Sequence, residues 1–330
     1  MQNKEINFNL AKDYYQRERS FGKVIQSARK FGVEFEMVPN TNLLNFSSDS
    51  LSATIKEKNL IKLHNLSDGI IPIAWGSGTD GSLSNRQWGV EIQTAPMIMK
   101  VGEDSIVKFC KEAIGLGWVT DNSCGLHVHI DANDIKDNPE LVRRLFLLYF
   151  VMDYSILAMI PINRRTNPYC APMDATKART LVRSRSYYDK GFSIEKIVSS
   201  KPTKKDFLEM FYKKNYEQIP EELRAHYNEA RYHGTNFHTL YTKYGTVEMR
   251  YLEGTLDSNT IINWIAFHQH IVDSARLIRE VEAIELFHIK GVKTRLRRFA
   301  EITKMKEATL DWAYSRIDQF KDKPKPANNS

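Results

Sequence analysis

The sequence predicts one α/β or α+β domain built on an antiparallel or mixed β-sheet. Alternating, strand-like segments are separated by helical ones over the whole chain, a pattern that places one sheet against helices. Residues 236–242 and 245–252 flank Lys243, Tyr244 and Gly245 and read as a hairpin, which requires antiparallel pairing. The segments around Glu34, Glu91, His127 and Glu248 each put apolar residues at one parity and ionisable ones at the other, so each strand has one greasy and one charged face.

The elements follow in order. Residues 11–29 read as a polar, peripheral helix. Residues 30–38 read as the first strand, with Val33, Phe35 and Met37 alternating with Gly32, Glu34 and Glu36. Residues 40–60 are polar loop, and 64–73 are apolar but irregular. Residues 75–82 are glycine-rich yet have neither the Lys-Ser/Thr of a P-loop nor dinucleotide spacing, so a flexible loop beside a site is expected. Residues 88–95 form a strand stopped by Pro96. Residues 102–117 form an amphipathic helix, with Ile106, Phe109, Cys110, Ala113 and Ile114 at helical spacing.

Residues 125–131 form the histidine strand. A long helix opens at Pro139 and runs to about Ile160. Residues 163–180 are a loop carrying Arg164 and Arg165, and 194–230 hold two short basic helices. After the hairpin, Ser258 or Asn259 caps a helix reaching about Glu282. Two helices near 290–303 and 308–320 follow. With no repeat and no linker, residues 1–320 are expected to form a single domain (core 30–280, C-terminal helices 281–320), and 321–330 a disordered tail.

Composition narrows the function. The 330 residues are 42% hydrophobic, enough for a sizeable core. Net charge is +7 from 47 basic and 40 acidic residues, an excess that suits phosphorylated or anionic ligands, or weak nucleic-acid contact. Cys110, Cys124 and Cys170 form no CxxC pair, so neither a disulfide framework nor a thiolate zinc site is expected, and a cytoplasmic location is. Residues 1–5 show no secretory h-region. The most apolar stretch, 145–162, contains Asp153 and reads as a buried helix rather than a membrane span.

The chemistry sits on the ionisable strand faces. Hard cations such as Mg²⁺ and Mn²⁺ take carboxylate oxygens, which Glu34, Glu36, Glu91 and Glu248 offer from three strands. His127 and His129 share a face; imidazole suits Zn, Mn or Fe, or contacts phosphate. Arg250 can pair with Glu248 or bind phosphate bidentately. Arg231, Asn236, Arg164 and Arg165 are further candidates for a phosphate or a substrate carboxylate. No nucleophile elbow or Cys–His spacing is present, so covalent hydrolysis is not expected.

The ordered set Gly32-x-Glu34-x-Glu36, Glu91-x-x-Thr94-x-Pro96, Asn122-x-x-Gly125-Leu126-His127-Val128-His129, Arg231-Tyr232 with Asn236, and Thr246-Val247-Glu248-Met249-Arg250 resembles the amidoligase family. These are carboxylate–amine ligases of the glutamine synthetase-like superfamily. The resemblance runs over about 30–280 and includes Gly254-Thr255-Leu256-Asp257 with the helix bearing Trp264 and Phe267. It implies an α+β fold: a curved, mainly antiparallel sheet with helices on its convex face.

The resemblance also implies ATP and Mg²⁺ or Mn²⁺ as cofactors. Glu34, Glu91 and Glu248 would be metal ligands, His127 a metal ligand or phosphate contact, and Glu36 a ligand to a second metal. His129 and Asn236 would be nucleotide-side contacts, and Arg250 a phosphate contact. Glu34, Arg250 and Arg231 would form the catalytic set. The reaction implied is ATP-dependent amide formation through an acyl phosphate, joining a small-molecule or peptide carboxylate to an amine. No membrane partner is implied, and an oligomer is compatible with it.

Three other readings compete, one of them phosphoryl transfer to a guanidino group, which uses a similar sheet. A zinc-dependent hydrolase could use His127 and His129 with His226, His233 or His238. A non-enzymatic, nucleic-acid-binding protein could use the basic segments 201–214 and 290–308, although aromatics are not interleaved there as in a recognition module.

Overall fold

A computed structural model describes residues 22–38, 75–78, 83, 89–173, 194, 197–198, 201, 203–212, 216–218 and 231–321. Its strands are β1 (Phe31–Met37), β2 (Gly76–Gly78), β3 (Val90–Gln93), β4 (Gly125–Asp131), β5 (Thr235–Asn236) and β6 (Thr246–Glu253). They form one sheet in the order β2-β3-β1-β4-β6-β5, with every pair antiparallel. The fold is therefore α+β with an antiparallel sheet.

The helices are α1 (Met99–Gly115), α2 (Pro139–Ala158), α3 (Ile162–Arg165), α4 (Lys204–Tyr212), α5 (His238–Tyr241), α6 (Ser258–Ser274), α7 (Glu280–His288), α8 (Val292–Thr303) and α9 (Glu307–Gln319). None is long and apolar enough to cross a membrane.

The core lies on one side of the sheet. Phe31, Val33, Phe35, Met37, Ile92, Leu126, Val128, Ile130, Val247 and Met249 are all at most 1% exposed. They occupy the parity that the sequence marks as apolar. α6 packs on β4, on α1 and on α2, while α7 and α8 cover the other flank of α2. Burial of α2 along most of its length explains its nearly continuous apolar run. Its start is fixed by Asn138, whose side chain accepts from Glu140 N (3.1 Å) and Leu141 N (3.2 Å), with Pro139 where no amide is needed.

Several boundaries differ from the sequence expectation. Residues 22–30 are not helical; the amides of Val24 and Ile25 donate to Glu103 Oε2 at 3.1 and 3.2 Å instead of closing helical turns. Gly76–Gly78, expected as flexible loop, is an edge strand on β3, where a neighbour's free backbone groups outweigh glycine's poor strand propensity.

The first hairpin strand is only Thr235–Asn236. Asn236 Oδ1 accepts from His238 N at 2.8 Å, an Asx turn that starts α5. Asp257, not Ser258 or Asn259, caps α6 by accepting from the amides of Asn259 and Thr260 at 3.2 Å. α6 stops at Ser274, where Ala275, Arg276 and Leu277 form three-residue turns, and α7 begins separately. The expected features at 1–21, 40–60, 64–73 and 322–330, and most of those at 174–230, fall outside the described residues.

Candidate active site

Opposed residues in an antiparallel pair project to the same face, so the register assembles the site. β1 sets Glu34 opposite His127 and Gly32 opposite His129, and Glu36 opposite Glu91. β6 sets Glu248 opposite both His129 and Asn236. All of these side chains, with Arg250 two residues along, share the face away from the core. No two of the strands concerned are joined by a tight turn that would reveal the register in the sequence.

The centre of the site is His127. Its Nδ1 is 3.0 Å from Glu34 Oε2 and 3.5 Å from Glu248 Oε1; its Nε2 is 3.5 Å from Glu36 Oε1. Arg250 Nη1 donates to Glu248 Oε1 at 2.5 Å and lies 3.5 Å from His127 Nδ1. Asn236 Nδ2 donates to the other Glu248 oxygen at 2.6 Å. His129 Nε2 stands 3.3 Å from Glu34 Oε1, off the line of a hydrogen bond, while its Nδ1 is 3.0 Å from Thr246 Oγ1. Side-chain exposure is 21% at Glu34 and 16% at His129 but 4% at Glu248, so the site opens on the Glu34–His129 side.

The charges hold each other in place. Burial pushes the Glu34 carboxyl up, but the contacts with His127 and His129 and their charge outweigh it and hold it well below the carboxylate range. Burial opposes ionisation of Glu248 too, yet Arg250 and the two histidines hold it down to about 2, against repulsion from Glu34. Burial would lower His129, but Glu248 and Glu34 raise it. Arg250 is pushed up by the surrounding carboxylates despite burial. Oppositely charged neighbours favour the charged form of each.

Glu34, His127 and Glu248 each offer a ligand atom within 4.8 Å of the others. Among the described residues this is the only such group of three. Glu36 adjoins it through His127 and accepts from Gly125 N at 2.5 Å. Glu91 is half-buried across from Glu36 and accepts from Gln93 Nε2 at 2.5 Å. Asn236 meets Glu248. Arg231 is half-buried, its guanidinium 5.9 Å from the centre of the Tyr232 ring. Arg165 donates to the carbonyls of Ile160 and Phe320, a bracing role.

His233 is buried where it bridges to Ala171, and His238 Nδ1 lies 2.5 Å from Tyr212 Oη. Neither joins the group as a further imidazole; His226 lies outside the described residues. In the basic segment 290–308, Lys293, Arg297 and Arg298 pair with Asp318, Glu307 and Glu285. That charge is locally balanced rather than presented as a phosphate track.

Three further residues shape the site. Tyr244, 43% exposed, holds its ring 6.2 Å from His129. Burial and then Glu34 and Glu248 raise its hydroxyl, with Lys243 and Arg231 opposing. Gly125 is a close approach: a Cβ there would lie 2.9 Å from Arg164 Nη2 and 3.3 Å from both Glu36 Oε2 and His127 Nε2. Thr94 accepts from Val33 N through Oγ1 at 2.9 Å and so aligns the strand bearing Glu34. Only Thr94 and Gly125 carried a signal, as fixed positions beside the acidic and histidine motifs.

An antiparallel sheet that gathers carboxylates, imidazoles and the Arg250 guanidinium on the face away from its core is a polar-faced α+β fold. The family model described as "Putative amidoligase enzyme" matches residues 27–272. The chain belongs to that amidoligase family, which makes it an enzyme of ligase type. Comparison with curated proteins and with solved structures finds no significant match.

Proposed function

We propose that this protein is an ATP-dependent carboxylate–amine ligase using Mg²⁺ or Mn²⁺, on a glutamine synthetase-like fold. The observation that carries the reading is the convergence of Glu34, His127 and Glu248 within 4.8 Å, with Arg250 bonded beside them. Oxygen-rich donors with one imidazole fit a hard divalent ion better than a thiolate-seeking one. Glu34, His127 and Glu248 would hold one ion, and Glu36 and Glu91 would serve a second. An ion bound there neutralises charge on a transferring phosphoryl group.

The protein's own residues do the rest. Arg250, buried and fixed at both ends of its guanidinium, offers positive charge to phosphoryl oxygens without reorganising. His129, at the open side, would meet the nucleotide. Glu248 and Glu34 stay ionised throughout the neutral range, so the site is always ready for a cation. The substrate carboxylate would attack the terminal phosphoryl of ATP, ADP would leave, and an amine would displace phosphate from the acyl phosphate to give the amide.

The test is a screen of carboxylates and amines for ADP release in Mg²⁺, with mass spectrometry of the products. An amide formed in step with ADP supports the reading. Stoichiometric zinc with hydrolysis and no need for ATP overturns it.

A further inference from the structure

We propose that Arg164, on α3, is the positioning residue that holds Arg250 aimed into the site. β4 and β6 pair Leu126 with Leu252 and Val128 with Met249. His127 alone therefore faces the two residues between, Arg250 and Tyr251, which makes a two-against-one β-bulge. The consequence is visible in the packing: the Tyr251 hydroxyl donates to Asp153 on the core helix α2, so Tyr251 turns to the same side as its fully buried neighbour Leu252, where a regular strand sends one to each face.

A bulge takes backbone groups out of the ladder, and buried ones must find other partners. Arg164 supplies them. Its Nη2 donates to Arg250 O at 2.7 Å and its Nε to Tyr251 O at 3.3 Å, so one planar guanidinium spans both carbonyls. From the other side Arg250 N donates to Gly234 O at 2.7 Å. The backbone of Arg250 is thus clasped at both ends, while its side chain reaches Glu248 and the carbonyl of Tyr169.

Two further observations separate this from ordinary packing. Arg164 is only 4% exposed, and among the described residues no carboxylate stands at ion-pair distance from it. A buried charge without a contacting counter-ion is costly. The Arg164 guanidinium faces the acidic site instead, bordering with Glu36 Oε2 and His127 Nε2 the gap that Gly125 leaves by lacking a side chain. Moreover, losing a bulge shifts the register of the strand beyond it by one residue, and such a slip exchanges the two faces. Without Arg164, Arg250 and Tyr251 compete for the same side. Arg165, the next residue, ties α3 to Phe320 after α9, so helices beyond the family-matched segment brace the same arrangement.

The chemical consequence rests on the ligase reading; the geometric claim does not, and the test uses both. In protein labelled with ¹⁵N-arginine, the Arg250 Nε–H signal is assigned by its loss in Arg250→Lys. Arg164→Lys is expected to move that signal and speed its hydrogen exchange at least tenfold, whereas Arg165→Lys leaves it in place. Circular dichroism checks that Arg164→Lys is folded, and Arg164→Gln serves as the second variant if it is not.

In turnover assays, Arg164→Lys is expected to lower kcat at least tenfold while the Mn²⁺ dissociation constant stays within twofold. The double variant with Arg250→Lys should be no slower than the slower single, because both act through one guanidinium. An unmoved Arg250 signal in folded Arg164→Lys overturns the inference, as do losses that multiply independently. A wild-type protein without Mg²⁺-dependent ATP turnover overturns the ligase reading instead, and the Arg250 signal still decides the positioning claim.

Discussion

Glu248 and Arg250, two residues apart on β6, share a 2.5 Å hydrogen bond between side chains that are 4% and 8% exposed. The carboxylate proposed to hold a cation and the guanidinium proposed to meet a phosphoryl group therefore neutralise each other. Neither faces a low-dielectric surrounding alone.

Breaking that pair has a stability cost. Glu248→Gln leaves a buried guanidinium without its counter-ion, and truncating one partner of such a pair costs roughly 3–5 kcal/mol. Glu34, more open to solvent, should tolerate Gln far better. Urea unfolding at pH 7 compares the two; equal losses would argue that the Glu248–Arg250 pair carries no special weight. The double variant Glu248→Gln/Arg250→Met should recover part of the loss, since it removes the stranded charge.

Mn²⁺ should stabilise the folded chain, because only the folded state gathers Glu34, His127 and Glu248. At a hundredfold excess over its dissociation constant an ion adds about 2.7 kcal/mol. The measurement is the melting temperature with and without Mn²⁺. Glu34→Gln should abolish the increment, and an increment that survives would place the ion elsewhere. Asn236→Ala, which frees one Glu248 oxygen, should weaken Mn²⁺ binding by roughly 10–100-fold, as loss of an orienting neighbour does.

Acid should weaken the fold in two stages. Burial pushes His268 down to about 3 and, with Asp273 opposing, His270 down to about 4. Both bind fewer protons folded than unfolded, so their contribution is whole above about pH 6.5 and drains away as pH falls toward their folded values. Each adds a slope of up to about 1.4 kcal/mol per pH unit. Glu248, also depressed, adds its loss below about pH 4.5, down toward 2. Urea midpoints at pH 7, 6 and 5 should fall progressively. His268→Phe should flatten the upper part of that dependence, whatever it does to the absolute stability; an unchanged slope would contradict the burial argument.

Gly125→Ala tests the tightness of the site floor. The added methyl meets Arg164 Nη2, Glu36 Oε2 and His127 Nε2, so something must shift, typically at about 1–3 kcal/mol. Because the crowded atoms are the site's own, Mn²⁺ binding should weaken along with stability. Lost stability with unaltered Mn²⁺ affinity would show that Gly125 serves the fold alone.

Much of the site was legible because it rests on a two-residue period. Val33, Phe35 and Met37 against Glu34 and Glu36, and the pair His127 and His129, announce a charged face from parity alone, and Asn138-Pro139 announces the start of α2. What was not legible depends on register and on backbone partners. Nothing in the sequence near Arg164 says that it will serve the carbonyls of Arg250 and Tyr251, because a bulge is a property of two strands together. The same holds for Gly76–Gly78, recruited by the free edge of β3, and for Tyr244, whose place over His129 is set by the short turn of α5. Segment 22–30 looked helical by composition, but two of its amides are taken by Glu103, a residue about eighty positions away.

If the carboxylates on the polar sheet face drive ATP-dependent ligation, as proposed, Glu34 is the residue that shows it, since its loss should spare the fold. The measurement is Mg²⁺-dependent ADP release with a carboxylate and an amine present, in wild type and in Glu34→Gln. Turnover in the wild type that falls at least a thousandfold, by about 4 kcal/mol, in a Glu34→Gln variant of normal melting temperature is the predicted result. Full turnover in Glu34→Gln would show that this carboxylate does not serve the reaction.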